Sequence, residues 1–329
     1  MTIVGSAACS FEPVPDWPQI PGDVEMLEAV GVAVDSRDRV YVFNRSNRPV
    51  LVFSADGEYL AGWGEGLFVR PHGIWIDKDD SLLLVDDMGH NVRRFSGDGD
   101  LLQTIGPSGE PSPTNIDGMD FRTISHGAPP YNMPTNIVAD SDGDLFITDG
   151  YGNARVHHFS AAGEYVTSWG EPGDGPGQFN VPHGLGIDAE DRLYVADREN
   201  SRVQIMTREG ELLETWTDVV RPCEVYVAAD GLVFVAELGR RSGLFGWEQP
   251  DASSPGSRMS VFNTDGKLLT RWGGGDDPAS PTDFYSLHDV QLDSVGNLYT
   301  AEVSASASLN ATQPSTGCPT LRKFVRRAK

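Results

Sequence analysis

The sequence has little cysteine and few basic residues for its length of 329 residues. Its three cysteines, Cys9, Cys223 and Cys318, are odd in number and far apart, which argues against a disulfide framework and favours reduced thiols. Lysine and arginine total 25 against 48 aspartates and glutamates, giving a formal net charge of −23. This charge excludes nucleic acids and anionic membranes as expected partners.

Long apolar runs are also absent. No stretch approaches the roughly 18 apolar residues that a membrane-spanning helix needs. The N-terminal segment MTIVGSAACSF has no basic residues ahead of its short apolar core, so we do not expect a secretory signal peptide. Together with the reduced thiols, these features predict a cytoplasmic protein.

No long helical period of apolar residues runs through the chain. Glycine (37) and proline (22) are plentiful, and the apolar runs are short and rich in β-branched and aromatic residues. This composition predicts an all-β fold. The runs recur in six repeats. Each repeat opens with a short apolar run that usually ends in an acid, at 31–35, 71–77, 134–140, 182–188, 222–228 and 287–293.

A second run in each repeat ends in an acid or amide, and a third strand, a glycine turn and a fourth strand follow. The fourth strand often closes with tryptophan, at Trp63, Trp169, Trp216 and Trp272. The sequence contains six first strands but only five fourth strands. We therefore expect an N-terminal strand at about 11–20 to supply the sixth fourth strand and close the ring. The sequence thus predicts a single domain, 1–329, folded as a six-bladed β-propeller of NHL-type repeats. Insertions at about 107–132, 239–258 and 304–317 should form loops on its faces.

Three histidines share one position in the first strand of every second repeat. The column reads Val30, His72, Thr135, His183, Cys223 and His288. First strands line the central channel of a propeller, so three imidazoles should converge there, hold Zn²⁺ and leave a fourth position open. Any one of these histidines alone would more simply be a core or turn residue. Cys223 could be a fourth ligand, although a buried inert thiol is the simpler interpretation.

The second strands run antiparallel to the first, so the residue after each terminal acid faces the same side as the histidines. That column reads Arg45, Asp87, Gly150, Arg198, Leu238 and Val303, with Tyr151 one step further in the third repeat. Arg45 and Arg198 can bind a carboxylate bidentately, and Tyr151 can act as a base. Each could instead be a rim residue paired with the surplus acids. We predict that all three take part in catalysis.

These motifs resemble the lyase domain of the peptidylglycine α-amidating enzyme, that is, the peptidyl-α-hydroxyglycine α-amidating lyase family of NHL-repeat propellers. The matching segments are 31–45, 71–74, 149–155, 169–183, 195–200 and 288–289. The resemblance implies three zinc ligands and three catalytic residues, which are His72, His183 and His288, and Tyr151, Arg45 and Arg198.

The resemblance also implies a structural calcium ion, held by the backbone carbonyls of Val32 and Ile74 and by Asp289. Considered on its own, Asp289 adjoins a zinc ligand and could bind a hard cation or hydrogen-bond a neighbouring group.

The chain departs from the family at several positions. Gly152 stands where secreted members have a cysteine, and Ser286 where the family has a methionine. Glu224, Glu237 and Glu302 lie in the fifth and sixth repeats, where the match is poor. These differences bear on the substrate pocket more than on the metal.

We therefore expect a zinc-dependent lyase that cleaves an N-acyl-α-hydroxyglycine to a primary amide and glyoxylate. Its substrate would be a small molecule that carries a carboxylate, with small acyl groups preferred if the 107–132 and 239–258 loops cover the pocket. Two alternatives remain open. One is a metal-dependent hydrolase or hydratase acting on a small ester, lactone or amide, and the other is a non-catalytic NHL interaction scaffold.

Overall fold

The computed structural model describes residues 2–6, 9–240, 247, 253–308, 315 and 317–327. Much of the predicted loops 239–258 and 304–317 therefore lies outside the described residues. The described strands, in chain order, are β1 (Val4–Ser6), β2 (Cys9–Pro13), β3 (Ala29–Val34), β4 (Val40–Asn44), β5 (Val50–Phe53), β6 (Tyr59–Trp63), β7 (Pro71–Ile76), β8 (Leu82–Asp86), β9 (Asn91–Phe95), β10 (Leu101–Ile105), β11 (Pro134–Ala139), β12 (Leu145–Asp149), β13 (Arg155–Phe159), β14 (Tyr165–Trp169), β15 (Pro182–Ile187), β16 (Leu193–Asp197), β17 (Arg202–Met206), β18 (Leu212–Trp216), β19 (Pro222–Val227), β20 (Leu232–Glu237), β21 (Arg258–Asn263), β22 (Leu268–Gly273), β23 (Leu287–Leu292), β24 (Leu298–Glu302) and β25 (Leu321–Arg326).

The strands form six antiparallel sheets, which we number one to six by their first strands β3, β7, β11, β15, β19 and β23. Two short 3-10 helices, Phe121–Thr123 and Ser306–Ser308, are the helical segments of the described residues. Neither is long and apolar enough to cross a membrane. The predicted six blades and the all-β class are confirmed. Each blade follows from the short apolar runs and turn glycines of one repeat.

The sheets fall into two compact units. The first unit comprises Met1–Trp63 with Val219–Lys329 and holds sheets one, five and six, and the second unit, Gly64–Asp218, holds sheets two, three and four. Within each unit, apolar side chains between neighbouring sheets form the core. In the first unit, for example, the buried ring of Phe11 lies 6.1 Å from that of Phe234 and 5.8 Å from that of Trp272.

The N-terminal segment belongs to sheet six. Strand β2 pairs with β25, with Phe11 opposite Arg326, and β1 adds a fifth strand outside β2. Residues 14–20 form no strand, although the sequence placed the closing strand at about 11–20. Pro15 and Pro18 lie in this stretch and have no N–H to donate to a neighbouring strand, so the ladder ends early.

The acids that end the second strands form hydrogen bonds to the segment that precedes the first strand of the same sheet. In sheets two to six, one carboxylate accepts a backbone N–H from that segment, at Asp86 from Arg70 (2.8 Å), Asp149 from Asn132 (2.7 Å), Asp197 from Asn180 (2.7 Å), Glu237 from Val220 (2.6 Å) and Glu302 from Tyr285 (2.7 Å). A cationic or imidazole side chain on the third strand contacts the same carboxylate, at Arg93, His157, Arg202, Arg258 and Arg322. The recurring acids are thus structural, which accounts for Glu237 and Glu302.

Removing the cation from one of these pairs should destabilise the protein. Glu302 is fully buried, and burial raises the pKa of its carboxyl while the Arg322 guanidinium, 2.7 Å away, opposes that rise. Arg322→Met leaves this carboxylate uncompensated, and we expect the free energy of unfolding to fall by about 3–5 kcal/mol in urea denaturation. The control is Arg326→Met, because Arg326 pairs with the exposed Asp230 and should contribute less than about 1 kcal/mol. Equal losses in the two variants would contradict the structural role of the acids.

Candidate functional site

Tyr151 and two of the column histidines meet in the second unit. The Tyr151 hydroxyl lies 3.1 Å from Nε2 of His72 and 3.1 Å from Nε2 of His183. All three side chains are buried, and the two imidazole centroids are 4.8 Å apart. The structure therefore brings together three residues that the sequence singled out, on the ends of strands from three consecutive sheets.

A one-residue slip at Gly150 brings Tyr151 to this position. In sheets two and four, the first residue after the second strand bonds back to the segment before the first strand, as Asp87 N–H does to Arg70 O (3.2 Å) and Arg198 N–H to Val181 O (3.1 Å). In sheet three the first residue after the second strand is Gly150, but the bond is made by the next residue, from Tyr151 N–H to Met133 O at 3.4 Å. A Cβ at Gly150 would collide with the carbonyl oxygen of Pro182, so glycine is required there.

Backbone carbonyls orient the predicted zinc ligands His72 and His288. His72 Nδ1 lies 2.6 Å from the Thr135 carbonyl oxygen in the second unit. In the first unit, His288 Nδ1 lies 2.7 Å from the Val30 carbonyl oxygen. Because a carbonyl only accepts, each Nδ1 carries the proton and each Nε2 keeps a lone pair, which is the form of histidine that binds metals.

The donor set fits a transition metal. His72, His183 and His288 are three buried histidines that could bind a metal ion, and Cys223 is not part of this group. Neutral imidazoles suit zinc, and three of them leave a coordination position for a substrate.

The two predicted arginines have different environments. Arg198, in the second unit, places Nη1 3.4 Å from the Tyr151 hydroxyl, and its side chain is 0% exposed. Its Nε donates to Glu199 at 2.8 Å. Arg45, in the first unit, pairs through Nη1 with Glu28 at 2.7 Å and donates to Ser306 Oγ at 2.8 Å. Burial acts to raise the pKa of Glu28, but Arg45 and Ser306 outweigh it and hold the pKa below its ordinary value.

Sequence reasoning missed Arg70. Its guanidinium carbon lies 5.3 Å from the centre of the Tyr151 ring, while that of Arg198 lies 5.4 Å from it. A signal was present in the sequence, because Arg70 and Asp87 have the same spacing, 17 residues, and the same strand positions as Glu28 and Arg45. In sheet one the acid comes first in the sequence, whereas in sheet two the arginine comes first.

The carboxylate predicted to bind calcium is buried in the first unit. Asp289 accepts the Val32 N–H at 2.8 Å and the Val290 N–H at 2.6 Å. Burial raises the pKa of Asp289 to about 7, and the two N–H groups act against that rise. A carboxylate in such a position fits a hard cation, since a positive ion would stabilise its charged form. Ile74, the other predicted carbonyl ligand, lies on β7 in the second unit.

The 107–132 insertion packs beside the Tyr151 turn. Asn132 fills the space that a side chain at Gly152 would need, and its amide donates to Ser112 O at 2.9 Å. Thr114 Oγ1 also donates to Gly152 O at 2.5 Å. The loop therefore fills the space beside Gly152 and leaves no room for a side chain there.

A cavity of about 470 Å³ lies against this insertion in the second unit. Its lining includes Phe121 and Ile124 from the loop, together with Val181 and Asn200. Val181 is two residues before His183 and Asn200 two residues after Arg198, so two of its walls continue segments that carry site residues. The volume is within the usual range for small-molecule sites.

Family models match two parts of the chain. The NHL repeat model matches residues 131–159 and 179–206, and a model described as a 6-bladed beta-propeller matches residues 25–108. Among solved structures, the gluconolactonase XC5397 from Xanthomonas campestris superposes with a TM-score of 0.61 at 15% identity, over 96% of this chain and 97% of that one. At this identity, the likeness shows the fold alone.

Similar curated proteins carry two kinds of name. NHL repeat-containing protein 3 from Homo sapiens is 31% identical over 63% of this chain and 61% of its own length. Peptidylglycine alpha-amidating monooxygenase from Rattus norvegicus is 33% identical over 57% of this chain and 21% of its own length. Peptidyl-alpha-hydroxyglycine alpha-amidating lyase 1 from Drosophila melanogaster is 29% identical over 57% and 39%. The match thus spans less than two thirds of each relative. The chain thus contains NHL repeats, has a six-bladed β-propeller fold, and has homologues that include proteins named amidating lyase.

Proposed function

We propose that this protein is a zinc-dependent lyase that cleaves an N-acyl-α-hydroxyglycine to a primary amide and glyoxylate. The observation that carries the proposal is the Tyr151 hydroxyl, which contacts two histidine nitrogens at 3.1 Å and an arginine at 3.4 Å. A non-catalytic scaffold has no need for a tyrosine buried among imidazoles and a guanidinium. The similarity to proteins named amidating lyase supports the same reaction type.

In this proposal His72, His183 and His288 hold zinc, and Asp289 with the carbonyls of Val32 and Ile74 holds calcium. Bound zinc would act as a Lewis acid on an oxygen of the substrate. Calcium would be structural and would neutralise the buried Asp289 carboxylate.

The chain's own residues would carry the proton and the charge. Tyr151, acting in its deprotonated form, takes the proton of the substrate hydroxyl, the C–N bond breaks, and the hydroxyl carbon becomes the aldehyde of glyoxylate. The leaving nitrogen keeps the electron pair of that bond and receives the proton from Tyr151, which forms the primary amide and restores the base. Arg45 and Arg198 bind the carboxylate and stabilise the charge that develops. The reaction is redox-neutral and needs no co-reactant.

The proposed partner is a small carboxylate-bearing molecule and neither a nucleic acid nor a membrane, because the net charge of −23 repels polyanions. We place the protein in the cytoplasm because its three cysteines, Cys9, Cys223 and Cys318, are odd in number and far apart in the sequence.

Glyoxylate release tests the proposal. We expect N-acetyl-α-hydroxyglycine and N-benzoyl-α-hydroxyglycine to yield glyoxylate and primary amide in equal amounts, measured by chromatography against an enzyme-free control. N-acetylglycine lacks the hydroxyl and should yield neither product. A parallel panel of lactones and aryl esters should be inert, because these compounds lack the carboxylate that the arginines bind. Turnover confined to that panel would make the protein a hydrolase, and turnover in neither panel would favour an interaction scaffold.

A further inference from the structure

Two arginines, not one, lie beside Tyr151 in the second unit. The Arg70 and Arg198 guanidinium carbons are 5.3 Å and 5.4 Å from the centre of the tyrosine ring. Arg70 also stands two residues before His72, on the segment that enters β7. A second guanidinium thus lies beside the tyrosine that the proposed reaction uses, two residues along the chain from one of its histidines.

Arg70 is held in place by Asp87. Its Nε lies 2.7 Å from Oδ1 and 2.9 Å from Oδ2 of this carboxylate, whose side chain is 0% exposed. The equivalent pair in sheet one has the opposite polarity, because Glu28 precedes β3 and Arg45 follows β4. An ion pair at these positions therefore serves the fold in either orientation, and in sheet two the orientation puts the guanidinium beside Tyr151.

Arg70 and Arg198 differ in how much of each side chain is exposed to solvent. The Arg198 side chain is 0% exposed, whereas that of Arg70 is 29% exposed. The Arg70 side chain is therefore the one of the two that is partly open to solvent, from which a carboxylate would enter. Because Asp87 fixes the side chain through Nε, little conformational entropy is lost when an anion binds.

We propose that Arg70 is a carboxylate-binding residue of this site and acts together with Arg198 on the substrate carboxylate. The proposal rests on the proposed lyase function and adds a residue to it. If Arg70 served only to neutralise Asp87, its loss would affect stability but not the affinity for a carboxylate.

A double variant separates these two roles. Arg70→Met alone leaves the buried Asp87 uncompensated and should lower the melting temperature. Arg70→Met with Asp87→Asn removes both charges and should restore most of that loss. We expect the double variant nevertheless to show a KM for N-acetyl-α-hydroxyglycine raised by about tenfold to a hundredfold, as the loss of a charge-assisted hydrogen bond implies. Its kcat should change much less than its KM.

The matched control is Arg94→Met with Asp77→Asn. These residues form an ion pair of 2.7 Å in the same sheet and have no part in the site. Both kinetic constants of this control should match the wild type. A wild-type KM in the Arg70 double variant would show that Arg70 only neutralises Asp87 and would overturn the proposal.

Binding of glyoxylate, measured by calorimetry, keeps the test independent of turnover. Wild-type protein should bind glyoxylate, and the Arg70 double variant should bind it at least about tenfold more weakly. If the wild type turns over no hydroxyglycine, the lyase proposal fails while the calorimetry still decides the role of Arg70. Equal glyoxylate affinities in the two proteins, or no binding to the wild type, would refute that role.

Discussion

Replacing Tyr151 with phenylalanine should lower kcat by ~10²–10⁴ while the protein stays folded. The substitution removes one oxygen atom, and that atom contacts the Nε2 atoms of His72 and His183 at 3.1 Å each. The ring itself remains, so its contacts with the imidazoles and guanidiniums are kept. In the proposed reaction the Tyr151 oxygen takes the substrate's proton, so its loss should appear in kcat more than in KM.

The same chemical change elsewhere in sheet three provides the control. The Tyr165 hydroxyl contacts Ser168 Oγ at 2.9 Å on the exposed strand β14, away from the histidines. Tyr165→Phe should retain wild-type kcat and KM. Circular dichroism and thermal melting of both variants would establish that each is folded. Wild-type turnover in Tyr151→Phe would remove this residue from the mechanism, and a lyase would then need a different base.

The repeat made the blades predictable. Alternation of apolar residues, glycine turns and closing tryptophans are local signals, and each blade forms mainly from contacts within about fifty residues of chain. The histidine column was visible for the same reason, since equal positions in equal blades have equal environments. The bounds of the strand that closes the ring were less predictable. The closing strand is Cys9–Pro13 because proline disrupts the following segment, and its pairing partner, β25, lies more than 300 residues away.

The candidate site was only partly predictable, because its residues depend on contacts between blades. Tyr151 comes to face the histidines through the slip at Gly150, which is explained by the close approach of Pro182 from the next sheet. Arg70 lies against Tyr151 although 81 residues separate them in the sequence. The acids that end the second strands form a clear sequence pattern. Their structural role is seen only in the hydrogen bonds that they accept from the segments preceding the first strands.

Removing one of the proposed zinc ligands should abolish both metal binding and turnover. We expect purified wild-type protein to contain one zinc ion per chain and one calcium ion, measured by elemental analysis after loosely bound ions have been removed. His72→Ala should lose the zinc and lower kcat by ~10²-fold or more, because the Lewis acid is lost. Asp289→Asn should lose calcium while keeping zinc, which tests the two sites separately. The histidine control is His126→Ala, since His126 is exposed and contacts only its neighbour Ser125 among the contacts described.

The effect on stability should accompany the loss of metal. A ligand that binds the folded state alone stabilises it by mass action, so a chelator should lower the melting temperature of the wild type but not of His72→Ala. The buried Nε2 lone pair of His72, directed by the Thr135 carbonyl, is the structural reason for this expectation. Full activity in chelator, in a protein that contains no transition metal, would contradict the zinc site. Tyr151 and its histidines would then have to perform acid–base chemistry without a metal, and zinc would have no part either in the proposed lyase or in the alternative metal-dependent hydrolase.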